Sequence, residues 1–152
     1  MANTYTQIYI HFIFSVKNRQ FLLKDNFREE LHKYITGIVL NRKCKLLCIN
    51  SVQDHMHILI AMHPEYSVSV LMKEVKSISS KFINEHKFVR GKFQWQEGFG
   101  AFSYSNSQVN SVINYIKNQE MHHKKKTFRE EYLEFLEKFG VKYELKYAFD
   151  ID

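Results

Sequence analysis

A chain of 152 residues with 45% hydrophobic residues, 13 Phe and 9 Tyr among them, carries enough apolar side chain for one packed domain and excludes a disordered polymer. One proline and five glycines leave no linker-like stretch, and no repeat or low-complexity segment divides the chain. A net charge of +6 favours polyanionic partners, nucleic acid before an anionic membrane surface, while no run of about 18 apolar residues is present to span a bilayer.

The first stretch, "YTQIYIHFIFSV", alternates Ile8, Ile10, Phe12, Phe14 and Val16 with Gln7, Tyr9, His11, Ile13 and Ser15, which predicts a strand with one wholly apolar face. The N-terminal stretch "MANTYTQIYIHFIFSVKNR" contains neither a basic leader nor a small-residue cleavage site, so a cytoplasmic location is the expectation. Next, "DNFREELHKYITGIVLNRK" sets Phe27, Leu31, Tyr34, Ile35 and Ile38 at helical spacing, with Asn26 and Glu29 offering a capping box. "CKLLCINSVQ" and "HMHILIAM" read as two strands. Cys44 and Cys48 match no zinc-finger spacing and read as buried thiols of a reducing compartment.

After Pro64, Val68, Leu71, Val75, Ile78 and Phe82 recur at steps of three and four, the clearest helix in the chain. A fourth strand follows around "AFSYS". A helix is predicted from about Ser107 to His123 with Val109, Val112, Ile113 and Ile116 as its buried stripe. The last helix starts at Thr127, capped with Glu130, buries Phe128, Tyr132, Phe135, Leu136 and Phe139, and stops at Gly140. The tail "VKYELKYAFDID" alternates strictly, so 141–152 reads as an extended C-terminal arm on one single domain spanning 1–152.

The order β-α-β-β-α-β predicts an α+β, ferredoxin-like antiparallel sheet with additional C-terminal helices. Both early helices cover one sheet face. Met56, Ile58 and Ile60 must point to them, which sends His55, His57 and Leu59 to the other face. Two imidazoles at i and i+2 on a strand lie roughly 6.5–7 Å apart with parallel side chains and can converge on one ion. Read alone, the motif is weak evidence, and the pair also reads as two histidines on a partly exposed sheet face.

A metal needs a third ligand, and the helix containing "SVINYIKNQEMHH" is the best supplier. Tyr115 and Gln119 are four apart and share a side beside the Val112/Ile116 stripe. Docked on the second sheet face, that helix would bring a phenol nucleophile and an amide oxygen to the histidines. Otherwise Tyr115 is an amphipathic core-edge residue and Gln119 a solvated one. His122 and His123 are competing ligands.

"HMH" and "YIKNQ" together resemble the HUH motif and the tyrosine helix of the single-tyrosine HUH transposases of bacterial insertion sequences, relatives of the REP-associated tyrosine transposases. The resemblance runs from about Thr4 to His123. It implies a transposase that cleaves and rejoins single-stranded DNA, with hairpin-bearing element ends as substrates. Tyr115 would attack to leave a 5′-phosphotyrosine. His55, His57 and Gln119 would hold Mg²⁺ or Mn²⁺, and a homodimer would supply two tyrosines. A phenol that titrates near 10 needs such help at neutral pH.

Lys73 and Lys76, with Ser77 and Ser80, lie opposite the apolar stripe of the second helix and face either phosphate or water. "KFVRGKFQW" interleaves Arg90 and Lys92 with Phe88, Phe93 and Trp95, which suits single-stranded DNA or a core anchor. Lys124, Lys125 and Lys126 form a backbone clamp beyond the tyrosine helix. Two further readings stand beside the transposase. One is a non-catalytic RRM-like module, which lacks the expected stacking aromatics here. The other is a different HUH nuclease, of replication-initiator or relaxase type.

Overall fold

The computed structural model describes residues 3–148. Its elements are β1 (Tyr9–Ser15), α1 (Asp25–Asn41), β2 (Lys45–Ser51), β3 (His55–Ala61), α2 (Val68–Glu85), β4 (Gly100–Tyr104), α3 (Val109–Lys117), α4 (Gln119–His122), α5 (Phe128–Lys138) and α6 (Leu145–Ala148). The four strands form one antiparallel sheet in the order β2-β3-β1-β4, the ferredoxin-like arrangement expected from the element order.

The register follows from hydrophobic alternation. Phe12 pairs with Ile58 and Phe14 with Met56, and these side chains point to one face. There they meet Phe27, Leu31 and Ile35 of α1 and Leu71, Val75 and Ile83 of α2, all buried, in the main core. Each such fully buried side chain contributes about 1.5–3 kcal/mol relative to an exposed one. A one-residue slip would turn the whole set to the opposite face, so the register is strongly specified. On β2 an irregularity between Leu46 and Cys48 shifts the pairing, so that Cys48 lies opposite Leu59 and Asn50 opposite His57.

The second face is not open. Val112 and Ile116 of α3 dock on Cys48 and Leu59, as the stripe predicts. α5 adds Phe128, Tyr132, Phe135 and Leu136 over Ile13 and Phe102. The sheet is therefore a middle layer, and His55 and His57 are fully buried between it and α3/α5. The alternative reading, two histidines on a partly exposed sheet, is overturned because α5 covers the strip that α3 leaves.

Local differences have local causes. α1 starts at Asp25 with Lys24 as its uncapped N-terminal residue, so Asn26 lies inside the first turn and its capping box with Glu29 does not form. Tyr34 is 40% exposed, its ring stacked on Phe82 instead of entering the core. The helix predicted from Ser107 to His123 opens with a 3-10 turn at Asn106–Gln108 and is interrupted at Asn118, where α3 ends and α4 begins. Asn50 Nδ2 donates to Ile116 O at 2.8 Å and to Lys117 O at 3.2 Å, and so satisfies the carbonyls exposed by that break. At α5 the Thr127–Glu130 capping box forms as expected, and the chain leaves at Gly140 with φ +65°.

Cys44 and Cys48 are free and buried. Along the tail, 141–144 has no regular structure and Leu145–Ala148 forms one helical turn where alternation predicted extended chain; the rest of the expected arm lies outside the described residues. No helix among the described residues is long and apolar enough to cross a membrane.

Candidate active site

β3 delivers His55 and His57 side by side because their alternation with Met56 and Ile58 leaves them no other face. Each imidazole is oriented from behind. His55 Nδ1 lies 2.7 Å from Asp54 Oδ1, in the β2–β3 turn. That turn is held by Val16 N donating to Asp54 O at 2.8 Å and Leu23 N donating to Gln53 O at 2.9 Å. His57 Nδ1 lies 2.8 Å from Nε2 of His11, a β1 residue on the same face. With both Nδ1 atoms engaged, the Nε2 atoms point forward into a common space.

Four further groups converge there. Glu131, near the start of α5 and only 2% exposed, sets Oε1 at 3.2 Å from His55 Nε2 and at 3.1 Å from both His57 Nε2 and His123 Nε2. Its other oxygen, Oε2, accepts a hydrogen bond from the Tyr115 hydroxyl. Gln119, fully buried, places Oε1 at 2.9 Å from His123 Nε2. A donor atom from each of His55, His57, His123 and Glu131 lies within 4.8 Å of the others, a group that could hold a metal ion. Nitrogen and carboxylate donors suit a divalent cation with coordination positions left open. His55 Nε2 has no hydrogen-bond partner despite its nearness to Glu131, and an orphaned buried nitrogen of this kind fits a metal ligand.

The electrostatics follow from burial. Desolvation lowers the proton affinity of His57 against the opposing charge of Glu131, and lowers that of His11 well below the ordinary imidazole value. Burial also works against a proton on His55, yet the hydrogen bond with Asp54 and the charges of Asp54 and Glu131 raise it above that value. For Glu131, burial favours the neutral acid, but the facing imidazoles of His57, His123 and His55 outweigh it and keep the carboxyl ionised. The Tyr115 phenol is pushed well up, first by burial and then by the charge and hydrogen bond of Glu131. It rests as a protonated hydroxyl.

Tyr115 is partly exposed, its ring stacked on Phe135 at 5.6 Å and met edge-on by His122 at 4.5 Å. It opens on a cleft of about 520 Å³ lined also by His11, Tyr104, His122, Lys125, Lys126 and Lys138. A second cleft, about 460 Å³, is lined by Arg28, Asp54, His123 and Lys124. Lys124, Lys125 and Lys126 thus flank the site, with Lys126 also paired to Glu134 at 2.7 Å.

The other expected cations are not brought here. Lys73 and Lys76 are on α2, against the opposite sheet face, and Lys76 Nζ donates to Gly98 O at 2.7 Å. Arg90 and Lys92 are exposed in the α2–β4 loop, whose Phe93 and Trp95 anchor in the main core, with Trp95 Nε1 donating to Ser79 Oγ at 3.0 Å. Of the two readings of those rings, the core anchor is the one found.

The residues that sequence reasoning missed are Glu131, Asp54 and the pairing role of His11. Glu131 did carry a signal. It sits between Phe128 and Phe135 at steps of three and four, inside a stripe that must be buried, and a carboxylate there requires a cationic partner.

Comparison with known proteins follows the same lines. The model of a family described as "Transposase IS200 like" matches residues 4–119. A putative transposase from Deinococcus radiodurans superposes with a TM-score of 0.62 at 19% identity, covering 78% of this chain and 96% of that one. A REP-associated tyrosine transposase, solved bound to a REP hairpin, gives 0.61 at 16% identity over 81% of this chain and 73% of that one. Curated proteins yield no match. With a family match over residues 4–119, most of its length and all of the sheet and α3, this chain belongs to the IS200-like transposase family.

Proposed function

We propose that this transposase cleaves and rejoins single-stranded DNA through a covalent 5′-phosphotyrosine at Tyr115. The observation that carries this reading is the Tyr115 hydroxyl at the edge of the His55/His57 group, facing a cleft with Lys125, Lys126 and Lys138 on its wall. In the reaction the Tyr115 oxygen bonds to phosphorus as the phosphorus–O3′ bond breaks. The phenol loses one proton and the departing 3′ oxygen gains one, so the step balances. Attack by a 3′-hydroxyl of another strand reverses it, and the phosphotyrosine bond conserves the energy for rejoining.

His55 and His57 would hold Mg²⁺ or Mn²⁺, with the Gln119 amide as an oxygen donor at the same place. Such an ion polarises a phosphoryl oxygen and offsets charge developing on it. The chain's own residues do the remaining work. Phe135 and His122 fix the phenol ring, and Asn50 pins the helix end that separates Tyr115 from Gln119. Lys125 and Lys138 attract backbone phosphate, and Lys124 extends the positive rim. Lys73, Lys76, Arg90 and Lys92 would meet only DNA that wraps to the opposite face.

We read the site as completed within one chain, which is supported by the Tyr115 and His57 rings lying 5.9 Å apart with Glu131 in contact with both. Excision with joining of the flanks needs two tyrosines, which a homodimer would supply. Hairpin-bearing element ends are the proposed substrate, in line with the hairpin bound by the REP-associated relative. The test is incubation with labelled single-stranded element ends and Mn²⁺ or Mg²⁺, followed by a denaturing gel. A covalent adduct lost in Tyr115→Phe and His57→Ala is expected. An adduct that persists in Tyr115→Phe overturns the assignment.

A further inference from the structure

Glu131 does more than fill space. Its carboxylate is buried, and the polar groups around it are three imidazoles and one phenol. A single oxygen, Oε1, faces three Nε2 atoms at 3.1–3.2 Å. Hydrogen-bond geometry is met for His57 and His123 but not for His55, whose Nε2 has no partner.

The backing groups sharpen this. His55 Nδ1 is engaged by the Asp54 carboxylate, which leaves its Nε2 facing Glu131 Oε1 at 3.2 Å with no hydrogen-bond partner. His57, paired through Nδ1 with His11, presents its Nε2 to the same oxygen. Two imidazole nitrogens thus lie within 3.2 Å of one carboxylate oxygen, a cluster that a cation can share. His123 plays the complementary part. Its Nε2 reaches both Gln119 Oε1 at 2.9 Å and Glu131 Oε1 at 3.1 Å, so one N–H gathers two oxygens toward the histidine pair. A neutral donor set of two imidazoles and an amide suits a hard divalent ion poorly, and such ions seek anionic oxygen.

We propose that Glu131 is the anionic ligand of the metal site, with Oε1 joining His55 Nε2 and His57 Nε2 on the ion while Oε2 keeps hold of the Tyr115 hydroxyl. One carboxylate then ties the nucleophile to the metal, and α5, which lies beyond the match to the family model, becomes part of the active centre. The inference rests on the metal site of the proposed function and adds to it a ligand which the HUH and tyrosine motifs do not supply.

The test measures Mn²⁺ binding to the full chain without DNA, by loss of the free-ion electron paramagnetic resonance signal, in wild type, Glu131→Gln, Gln119→Leu and His57→Ala. Glu131→Gln is expected to weaken binding at least tenfold, and by more than Gln119→Leu does. Binding that His57→Ala abolishes but Glu131→Gln leaves within twofold of wild type overturns the role of Glu131 and leaves the metal site standing. No binding by wild type, or binding unchanged in His57→Ala, overturns the metal site and Glu131 with it. Should Glu131→Gln fail to fold, wild-type crystals soaked in Mn²⁺ decide. The expected anomalous peak lies about 2.1 Å from the Glu131 carboxylate; a peak at the histidines out of reach of that carboxylate overturns the proposal.

Discussion

His11 Nε2 and His57 Nδ1 lie 2.8 Å apart, joining the two central strands on the face that carries the site. The contact fixes which nitrogen of His57 faces forward, and it is made by a residue with no direct place in the cluster. Replacing the residue behind a metal-binding histidine typically costs about 10–100-fold in metal affinity. His11→Phe, which fills the space without a nitrogen, is therefore expected to weaken Mn²⁺ binding by about tenfold or more while leaving a folded domain. Titration calorimetry with Mn²⁺, beside circular dichroism, checks both halves.

Asn50 holds the end of the tyrosine helix. Its amide satisfies two carbonyls at the break between α3 and α4, Ile116 O and Lys117 O. Asn50→Leu leaves both without that donor, at an expected cost of about 1–3 kcal/mol. Urea denaturation reads the loss. Because the same break spaces Tyr115 from Gln119, adduct formation should fall further than the fraction unfolded explains.

The seat of α5 on β4 depends on Gly100. A Cβ there would stand 2.7 Å from Tyr132 Cε1 and 3.0 Å from Phe102 Cε2. Gly100→Ala should destabilise the domain by about 1–3 kcal/mol through overpacking. Since α5 carries Glu131, Mn²⁺ affinity should drop with it, whereas an alanine at the open Gly98 should change neither.

These predictions concern residues that the sequence displays unequally. Alternation in "IYIHFIFSV" and "HMHILIAM", set beside the three-and-four spacing of Val68, Leu71 and Val75, is enough for the ferredoxin-like order, because sheet and helix faces must each bury one side. The common face of His55 and His57 follows from the same rule. The stripe of α3 announced part of the cover over that face, but the part that α5 supplies did not follow. α5 reads as an amphipathic helix with no indicated docking partner, and Glu131 meets His57 across 74 residues of chain. The break at Asn118 escaped notice because its stabilising partner, Asn50, is remote in sequence. The final alternation of valine, tyrosine and leucine does not give a strand at Leu145–Ala148, where a helical turn forms instead.

Acid should weaken the fold through His32. Burial, with a smaller push from Arg28, lowers its imidazole to about 4, and its Nε2 lies 2.8 Å from Ser51 Oγ. The unfolded chain, with an ordinary value near 6.5, takes up a proton that the folded state refuses. Stability is thus unaffected above about pH 6.5 and falls as pH drops from there toward 4, by up to about 3 kcal/mol from this group. Denaturation curves for wild type and His32→Gln at pH 7 and 4.5 should show a smaller acid loss in the variant. Equal losses would rule out His32 as a source.

Mass spectrometry of the covalent product bears most directly on the proposed chemistry. Wild-type protein incubated with single-stranded element ends and Mn²⁺ would be digested with nuclease and trypsin, and the modified peptide sequenced. The expected result is a nucleotide joined through its 5′-phosphate to Tyr115, with a free 3′-hydroxyl on the released strand. A phosphonucleotide on any other residue, or cleavage with no protein adduct, would contradict Tyr115 as the attacking group.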